Sequence, residues 1–163
     1  VLAARAFGFS PTEVMVFGIA ANLVAGASTI IAGRFDDRFG ARAVIIATLS
    51  GLIAVAVLLF VLQDAGSIVF WIAGLILSGC VGPAQAASRS LLARVTPPGM
   101  QGEIFGLYAT TGRVASFLSP AMWALFIAWF GSIIWGVLGI AVVLLLGLVL
   151  LLFVRLPKQA GIR

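Results

Sequence analysis

Apolar residues dominate the chain in five long runs separated by short polar connections. Four of the runs hold no charged residue, and the fourth in chain order is interrupted only by Arg113. Each has about the 20 residues that a helix needs to cross a hydrocarbon core of about 30 Å. None alternates as a barrel strand does, and a helix satisfies its own backbone in lipid. The pattern predicts an all-α membrane protein, a single membrane domain over 1–163, with transmembrane helices at 13–33, 43–63, 66–88, 103–127 and 131–154.

Composition supports the bilayer as the solvent of this chain. Of its 163 residues, 63% are hydrophobic and 9% are charged, and the mean hydropathy is +1.23. A water-soluble fold of this size is excluded, because so few charges cannot cover its surface. The basic residues are scattered rather than gathered in a patch, which excludes a nucleic-acid partner. With no His and a single Cys80 inside an apolar run, the sequence predicts no metal site and no cofactor.

Basic residues also predict how the helices are oriented. Most of them lie on the first and third connections and on the C-terminal segment, namely Arg34, Arg38, Arg42, Arg89, Arg94, Arg155, Lys158 and Arg163. The opposite side receives only Arg5, so the positive-inside rule predicts an outside N-terminus and a cytoplasmic C-terminus. The four Trp residues fall near the outer helix ends, where an aromatic belt is expected.

The beginning of the chain predicts that it is a piece of a longer protein. Residue 1 is Val rather than Met, and residues 1–9 are typical of the tail of a preceding helix that emerges outside. One further helix would give six, which is half of a transporter built from two six-helix repeats. We therefore expect an N-terminal six-helix half as a partner of this chain.

The first connection has the pattern G-x-x-x-D-R-x-G-x-R, formed by Gly33, Asp37, Arg38, Gly40 and Arg42. The two glycines permit a tight turn, Asp37 can serve a helix N-terminus, and the arginines can pair with acids. Such a loop can act as a conformational latch. The alternative is a charged turn whose arginines only set the topology. Two adjacent carboxylates, Asp36 and Asp37, do not complete a divalent-cation site.

With this loop the sequence resembles the major facilitator superfamily, whose motif A lies between helices two and three and again between helices eight and nine. It resembles most the branch of the bacterial UMF1 transporters and the autophagy-related vacuolar amino-acid effluxers. The stretches that carry the resemblance are Gly8-Phe9-Ser10, Asp36 to Gly40, Gln85 to Pro98 and Phe105 to Pro120. The resemblance implies helices eight to twelve, with a loop that docks against the N-terminal half. Ala41 departs from motif A, which usually has a basic residue there.

Arg113 is the first candidate for a substrate-binding residue. It lies nine positions after Ile104, about 14 Å along a helix, which is close to the bilayer midplane. A guanidinium there costs roughly 2.5 to 3.5 kcal/mol and needs a cavity or a partner. Thr110 and Ser116 share its helical stripe. We expect Arg113 to bind an anionic group of a substrate or to pair with an acid of the missing half; the alternative is snorkelling to the interface.

Asn22 and Gln85 are the other candidate substrate-binding residues. Asn22 shares a stripe with the small residues Gly18, Gly26 and Gly33, and such glycines favour close helix packing. For Asn22, lining of a cavity and interhelical bonding are both open, whereas Gln85 is predicted mainly to hydrogen-bond a neighbouring helix. Two further residues, Pro83 and Pro120, predict bends in their helices.

These features predict a transporter of small polar or anionic solutes that works by alternating access, with amino-acid efflux implied by the resemblance. The expected location is the bacterial plasma (inner) membrane. A small channel subunit or scaffold is the alternative. A membrane-embedded enzyme is disfavoured, because the sequence has neither a His nor a G-x-S-x-G motif. No acidic residue lies inside an apolar run, so this part of the protein offers no proton relay.

Overall fold

A computed structural model describes residues 10–62 and 66–154. They form helices throughout, and the described ranges contain no strand. The helices are α1 (Pro11–Phe39), α2 (Ala41–Val61), α3 (Ser67–Val95), α4 (Gln101–Ala115), α5 (Leu118–Phe130) and α6 (Trp135–Phe153). Because α4 and α5 form one continuous span, the described ranges contain five helices that are long and apolar enough to cross a membrane. The predicted fold class, an all-α protein with five transmembrane helices, is confirmed.

Helix α1 begins with a capping box. The Glu13 backbone N–H donates to Ser10 Oγ over 3.3 Å, and the Ser10 N–H donates to Glu13 Oε2 over 2.8 Å. Pro11 occupies the first turn, where its missing N–H costs no helical bond. These local signals start the helix two residues before the predicted position 13.

The end of α1 differs from the prediction, which stopped the helix at position 33. Gly33 lies inside the helix, and the chain turns only at Gly40, whose φ is +84°. The Gly40 N–H closes the last turn by donating to the Asp36 carbonyl over 2.9 Å. Charged residues do not break a helix that extends beyond the hydrocarbon core, whereas a glycine at positive φ does. The expectation that both glycines form the turn was therefore wrong for Gly33.

The other helices also extend beyond or fall short of the predicted ends. Helix α3 continues past position 88 to Val95, with Pro83 inside it. The fourth span begins at Gln101 and ends at Phe130, and α6 starts only after a turn at Gly131 with φ +73°. The connection at 63–65, the N-terminal residues 1–9 and the basic residues Arg155, Lys158 and Arg163 lie outside the described part of the chain.

The fourth span is interrupted in its middle, between Ala115 and Leu118. Pro120 has no N–H, so the carbonyl of Ser116 loses its helical donor. The Ser116 N–H bonds the Arg113 carbonyl over 3.3 Å, and regular bonding resumes where the Ala121 N–H reaches the Phe117 carbonyl at 2.9 Å. Ser116 and Phe117 keep right-handed backbone angles. The interruption is therefore a kink within one span, caused by Pro120.

Helix α2 lies at the centre of the packing. It packs against α3 and α6, α3 also packs against α1, and α6 packs against α5. Apolar clusters join α2 to its neighbours at three levels: Ala41, Val44 and Ile45 with Ala87; Leu59 with Phe70 and Ala73; and Ala56 with Val137 and Ala141. In contrast, neither α4 nor α5 has a buried residue.

Close helix contacts occur at glycines of α3 and α6. A Cβ on Gly139 would lie 2.5 Å from the Met122 carbonyl oxygen of α5, and one on Gly82 would lie 2.7 Å from the Ala25 carbonyl oxygen of α1. The packing role expected for glycines on the Asn22 stripe is not seen: Gly18, Gly26 and Gly33 have no atom within 4 Å of such a Cβ. That stripe of α1 is open within the described part of the protein.

The two ends of the bundle differ in chemistry. At one end, which we call the basic end, Arg94 of α3 contacts Asp36 of α1 over 3.2 Å, and Arg42 donates to carbonyls at the end of α6. At the other, the aromatic end, Phe17 packs edge-on against Trp71 at 5.2 Å. Trp135 there stacks on Phe130 with a centroid separation of 4.1 Å. Arg42 and Arg94 thus lie at one end of the bundle, and Trp71 and Trp135 lie at the other.

Candidate functional site

Arg113 lies on the last turn of α4, immediately before the kink. It is exposed, and its guanidinium has no carboxylate within 4.0 Å among the described residues. Its helix offers no buried residue, so this cation is on an uncovered surface in the middle of a membrane span. A charge at this depth must meet water or another part of the protein rather than lipid chains.

Thr110 and Ser116 are exposed on the same stripe of α4. Thr110 Oγ1 donates to the Gly106 carbonyl over 2.9 Å, and Ser116 Oγ donates to the Arg113 carbonyl over 2.6 Å. Each hydroxyl therefore satisfies its donor locally and leaves its oxygen lone pairs available as acceptors. The stripe presents one fixed cation beside two hydroxyl oxygens.

Asn22 lines a groove of about 280 Å³ between α1 and α3. Ser78 lies across this groove, while Ala21, Ala25, Leu77 and Val81 form its apolar walls. The Asn22 amide donates one hydrogen bond to the Gly18 carbonyl over 2.8 Å, which leaves its second N–H and its oxygen for a ligand. Neither Gln85 nor the α4 residues line this groove.

Gln85 is exposed on α3, one turn before the contact between α3 and α4. In that contact Ser88 Oγ and the Tyr108 hydroxyl oxygen are 3.0 Å apart. The interhelical bond predicted for the Gln85 side chain is not seen among the described residues; Ser88 and Tyr108 supply one instead. The predicted binding residues thus lie on three neighbouring helices, with α3 contacting both α1 and α4.

The charged turn between α1 and α2 is held by an ion pair that the spacing did not predict. Asp36, rather than Asp37, is the buried carboxylate: the side chains are 12% and 84% exposed, at 3.2 and 3.8 Å from Arg94 Nη2. Asp36 Oδ1 has no aligned hydrogen bond, so its compensation is the charge of Arg94. Asp37 stays exposed at the end of α1.

The arginines of this turn also differ from the expectation that they pair with acids. Arg42 Nη2 donates to the carbonyls of Leu151 and Leu152 over 3.2 and 3.1 Å. It therefore caps the C-terminus of α6, where a cation is favoured by the helix dipole. The Arg38 guanidinium lies 5.5 Å from the centre of the Phe39 ring. Neither has a carboxylate within 4.0 Å in the described ranges.

The comparisons with known proteins decide the family. Residues 1–162 match the Major Facilitator Superfamily. The chain belongs to this superfamily. It is an integral membrane protein of a family of secondary transporters.

A relative in this superfamily is an uncharacterized MFS-type transporter, YxiO, of Bacillus subtilis (strain 168). It is 25% identical over 154 residues, which cover 94% of this chain and 35% of the relative. The chain thus spans about a third of the length of that protein. No solved structure matches the chain.

The sequence did not indicate which side chains make the polar contacts between the helices. The pattern G-x-x-x-D-R-x-G selected Asp37, but its neighbour Asp36 is the closer and more buried partner of Arg94, at 3.2 Å against 3.8 Å. Ser88 and Tyr108 lie within the stretches that resemble the superfamily, and only their three-dimensional proximity distinguishes them.

Proposed function

We propose that this chain supplies helices eight to twelve of a secondary transporter of small polar or anionic solutes. In this proposal the solute binds between two halves of the protein, near the midplane, and moves by alternating access. The observation that carries the proposal is Arg113: an exposed cation beside a kink in the middle of a span, on a helix without a buried residue.

Two physical points support a water-accessible face rather than lipid around Arg113. A guanidinium facing hydrocarbon costs at least about 2.5 kcal/mol, and nearby carboxylates are lacking in the described part of the chain. The hydroxyls of Thr110 and Ser116 add further polar surface to the same stripe. The Asn22 stripe of α1 is also open. Faces of this kind suit a cavity between two halves.

The residues favour a carboxylate-bearing solute, and amino acids fit them well. Arg113 would bind the carboxylate through two N–H groups, as the planar guanidinium does in other sites. Asn22 and the hydroxyl oxygens of α4 would accept hydrogen bonds from an ammonium group. The Gln85 amide on α3 would hydrogen-bond the solute when the cavity opens toward the basic end. Efflux of amino acids is the corresponding activity.

The charged turn would act in the same cycle as a conformational latch. Asp37 is 84% exposed and therefore accessible to a helix N-terminus of the preceding half. Arg38 is likewise exposed, whereas Gly40 fixes the turn and Arg42 anchors it to α6. Gly33 would contribute only as a helical residue. The basic end would face the cytoplasm, with the protein in the bacterial plasma membrane.

The test uses the full-length protein in proteoliposomes and counterflow of radiolabelled neutral and acidic L-amino acids. Replacing Arg113 with Ala should lower the flux by about 10- to 100-fold, as expected for losing a charged hydrogen bond of about 1.5–3 kcal/mol. The matched control is Arg89→Ala, which removes an exposed arginine of α3 and should leave the flux within about twofold.

Membrane insertion of both variants is checked by their yield in the membrane fraction. Normal counterflow in Arg113→Ala would contradict the role given to this residue. A flux that rises linearly with amino-acid concentration, without saturation or counterflow, would favour a channel and contradict alternating access.

A further inference from the structure

A second groove, separate from the Asn22 groove, runs between α1 and α2 toward the basic end. Its volume is about 420 Å³, and residues of α1 between Ser28 and Phe39 line it together with α2 residues between Ala43 and Thr48. Ser28 and Thr48 carry its only polar side chains, and both hydroxyls donate to backbone carbonyls of their own helices. The groove therefore offers an occupant almost purely apolar contacts.

The length of this groove matches one leaflet of a bilayer. From Ser28 to Phe39 the axis of α1 rises by about 17 Å, and half of a hydrocarbon core is about 15 Å. Ile31, Phe35 and Phe39 follow one another along its wall and are 56%, 51% and 60% exposed. An extended apolar chain that lies along the bundle fits this shape better than a compact solute does.

Cations stand at the end of the groove. The Arg38 guanidinium lies over the ring of Phe39, which itself stacks on Phe35 with a centroid separation of 6.1 Å. Arg34 is one helical turn earlier, on the Ile31 side of α1, and is exposed. Aromatic rings and arginines at this depth are typical of the interface between hydrocarbon and headgroups.

The acids of this region do not neutralise these two arginines. Asp36 and Asp37 both contact Arg94, and Asp36 is nearly buried against it. Arg42 is bound to the carbonyls of α6. Arg34 and Arg38 consequently have no carboxylate within 4.0 Å in the ranges that the structure describes. Their charge complements an anion located directly above an apolar groove.

We propose that this groove binds an anionic phospholipid of the leaflet at the basic end. One acyl chain lies between α1 and α2, and the phosphate is bound by Arg34 and Arg38. Apolar contacts supply the affinity for the chain, whereas the two cations select an anionic headgroup over a zwitterionic one. The site is distinct from the solute face proposed around Arg113.

The experiment is native mass spectrometry of the full-length protein, given an equimolar mixture of phosphatidylglycerol and phosphatidylcholine with identical acyl chains. We expect phosphatidylglycerol to be retained preferentially. Each arginine near a headgroup changes the affinity by about fivefold, so the double variant Arg34→Gln/Arg38→Gln should lose about 25-fold. The control Arg89→Gln removes an exposed arginine of α3, which is not on either of the two helices that hold the proposed lipid, and should retain the preference.

A second pair of variants tests the groove without changing any charge. Ala47 is exposed and lines the groove, so Ala47→Phe should fill it and reduce lipid retention at least about tenfold. Ala54, also exposed on α2, does not line the groove, and Ala54→Phe should have no effect. Size-exclusion profiles identical to the wild type show that each variant remains folded.

Three results would overturn the proposal. The first is equal retention of the two lipids by the wild type, and the second is unchanged phosphatidylglycerol retention in both the arginine and the Ala47 variants.

The third result comes from a cross-linking experiment that identifies the occupant of the groove. With photoreactive benzoylphenylalanine at position 35, we expect a covalent lipid adduct. A cross-link to another peptide of the full-length protein would show that the groove is a contact with that segment instead.

Discussion

Asp36 and Asp37 are consecutive residues at the end of α1, yet one carboxylate is buried and the other is exposed. A helix turns 100° per residue, so Asp36 is buried against Arg94 of α3, whereas Asp37 is 84% exposed and lies farther from Arg94, at 3.8 Å. This separation divides two roles within one turn. Asp36 stabilises the bundle through Arg94, and Asp37 is available to a partner outside the described chain.

The first prediction concerns this ion pair. Arg94→Gln leaves the Asp36 carboxylate buried without its counter-charge, and should lower the free energy of unfolding by about 2 kcal/mol, less than for a fully buried pair because Arg94 is 32% exposed. Asp37→Asn should change it by less than about 0.5 kcal/mol. Unfolding by SDS titration in mixed micelles measures both.

Measurements of transport then distinguish the roles of Asp36 and Asp37. If Asp37 serves the latch, Asp37→Asn reduces counterflow while leaving the unfolding curve unchanged. An Arg94→Gln variant as stable as the wild type would contradict the role of Arg94. Equal losses of stability in Arg94→Gln and Asp37→Asn would contradict the division between the two acids.

The depth of Arg113 could be predicted from the sequence, but the choice between Asp36 and Asp37 could not. The depth of Arg113 follows from counting positions along an apolar run, and the structure retains it in the middle of a span. The choice between Asp36 and Asp37 depends on which side of α1 faces α3. That requires knowing that α1 continues as a helix to Phe39, and that a residue 58 positions later, Arg94, lies at the same end.

Among the helices, the fourth span is interrupted in its middle and has no buried residue, although α5 packs against α6. Its kink results from Pro120, yet Pro83 lies inside α3 without interrupting it. Close packing of α3 against α1 and α2 holds α3 in place, whereas α4 has no buried residue. We infer that this packing keeps α3 regular around Pro83.

The second prediction restores the missing hydrogen bond at the kink. Pro120→Ala provides an N–H for the Ser116 carbonyl, so α4 and α5 should join into one regular helix. We expect hydrogen exchange of the amides at 117–121 to slow by about fivefold, corresponding to a gain of about 1 kcal/mol from one bond. Counterflow should fall, since the surroundings of Arg113 change. Unchanged amide exchange would show that packing rather than Pro120 produces the kink.

The third prediction concerns the contact between α5 and α6. A side chain at Gly139 would collide with the backbone of Met122, so Gly139→Leu should destabilise the protein by about 1–3 kcal/mol. Gly147 lies on the same helix, and a Cβ there would have no atom within 4 Å among the described residues, so Gly147→Leu is the control. Thermal unfolding in detergent compares them, and equal unfolding temperatures would contradict this contact.

At this scale, the existence and number of the spans could be predicted because hydrophobicity over about 20 residues is sufficient to define them. Helix ends could not, since a polar segment such as residues 34–39 stays helical outside the hydrocarbon core until Gly40. The sequence indicated a bend near Pro120 but not its position between Ala115 and Leu118. Its position follows from the carbonyl that Pro120 leaves without a donor.

For the whole molecule, the main organising feature is that Arg42 and Arg94 lie at one end of the bundle, whereas Trp71 and Trp135 lie at the other. The ion pair of Arg94 and the capping by Arg42 draw the ends of α1, α3 and α6 together at the basic end. The described residues also leave the polar stripes of α1 and α4 uncovered. In the proposed transporter, we expect these two stripes to face the other half of the protein.

The fourth prediction tests the orientation of this bundle. Pro98, at the basic end, and Ser132, at the aromatic end, are both exposed in connections between helices. In a Cys80→Ser background, Pro98→Cys should react with a membrane-impermeant maleimide only in inside-out vesicles, and Ser132→Cys only in intact cells. The reverse pattern would contradict a cytoplasmic basic end.

The single residue between α1 and α2 also has a consequence for biogenesis. Gly40 alone joins α1 to α2, so the connection is too short for the translocation machinery to insert the two helices one after the other. The pair is therefore expected to enter the bilayer together as a helical hairpin, with Gly40 at its tip. A substitution at this position that is incompatible with a φ of +84° would then affect insertion before it affects any step of transport.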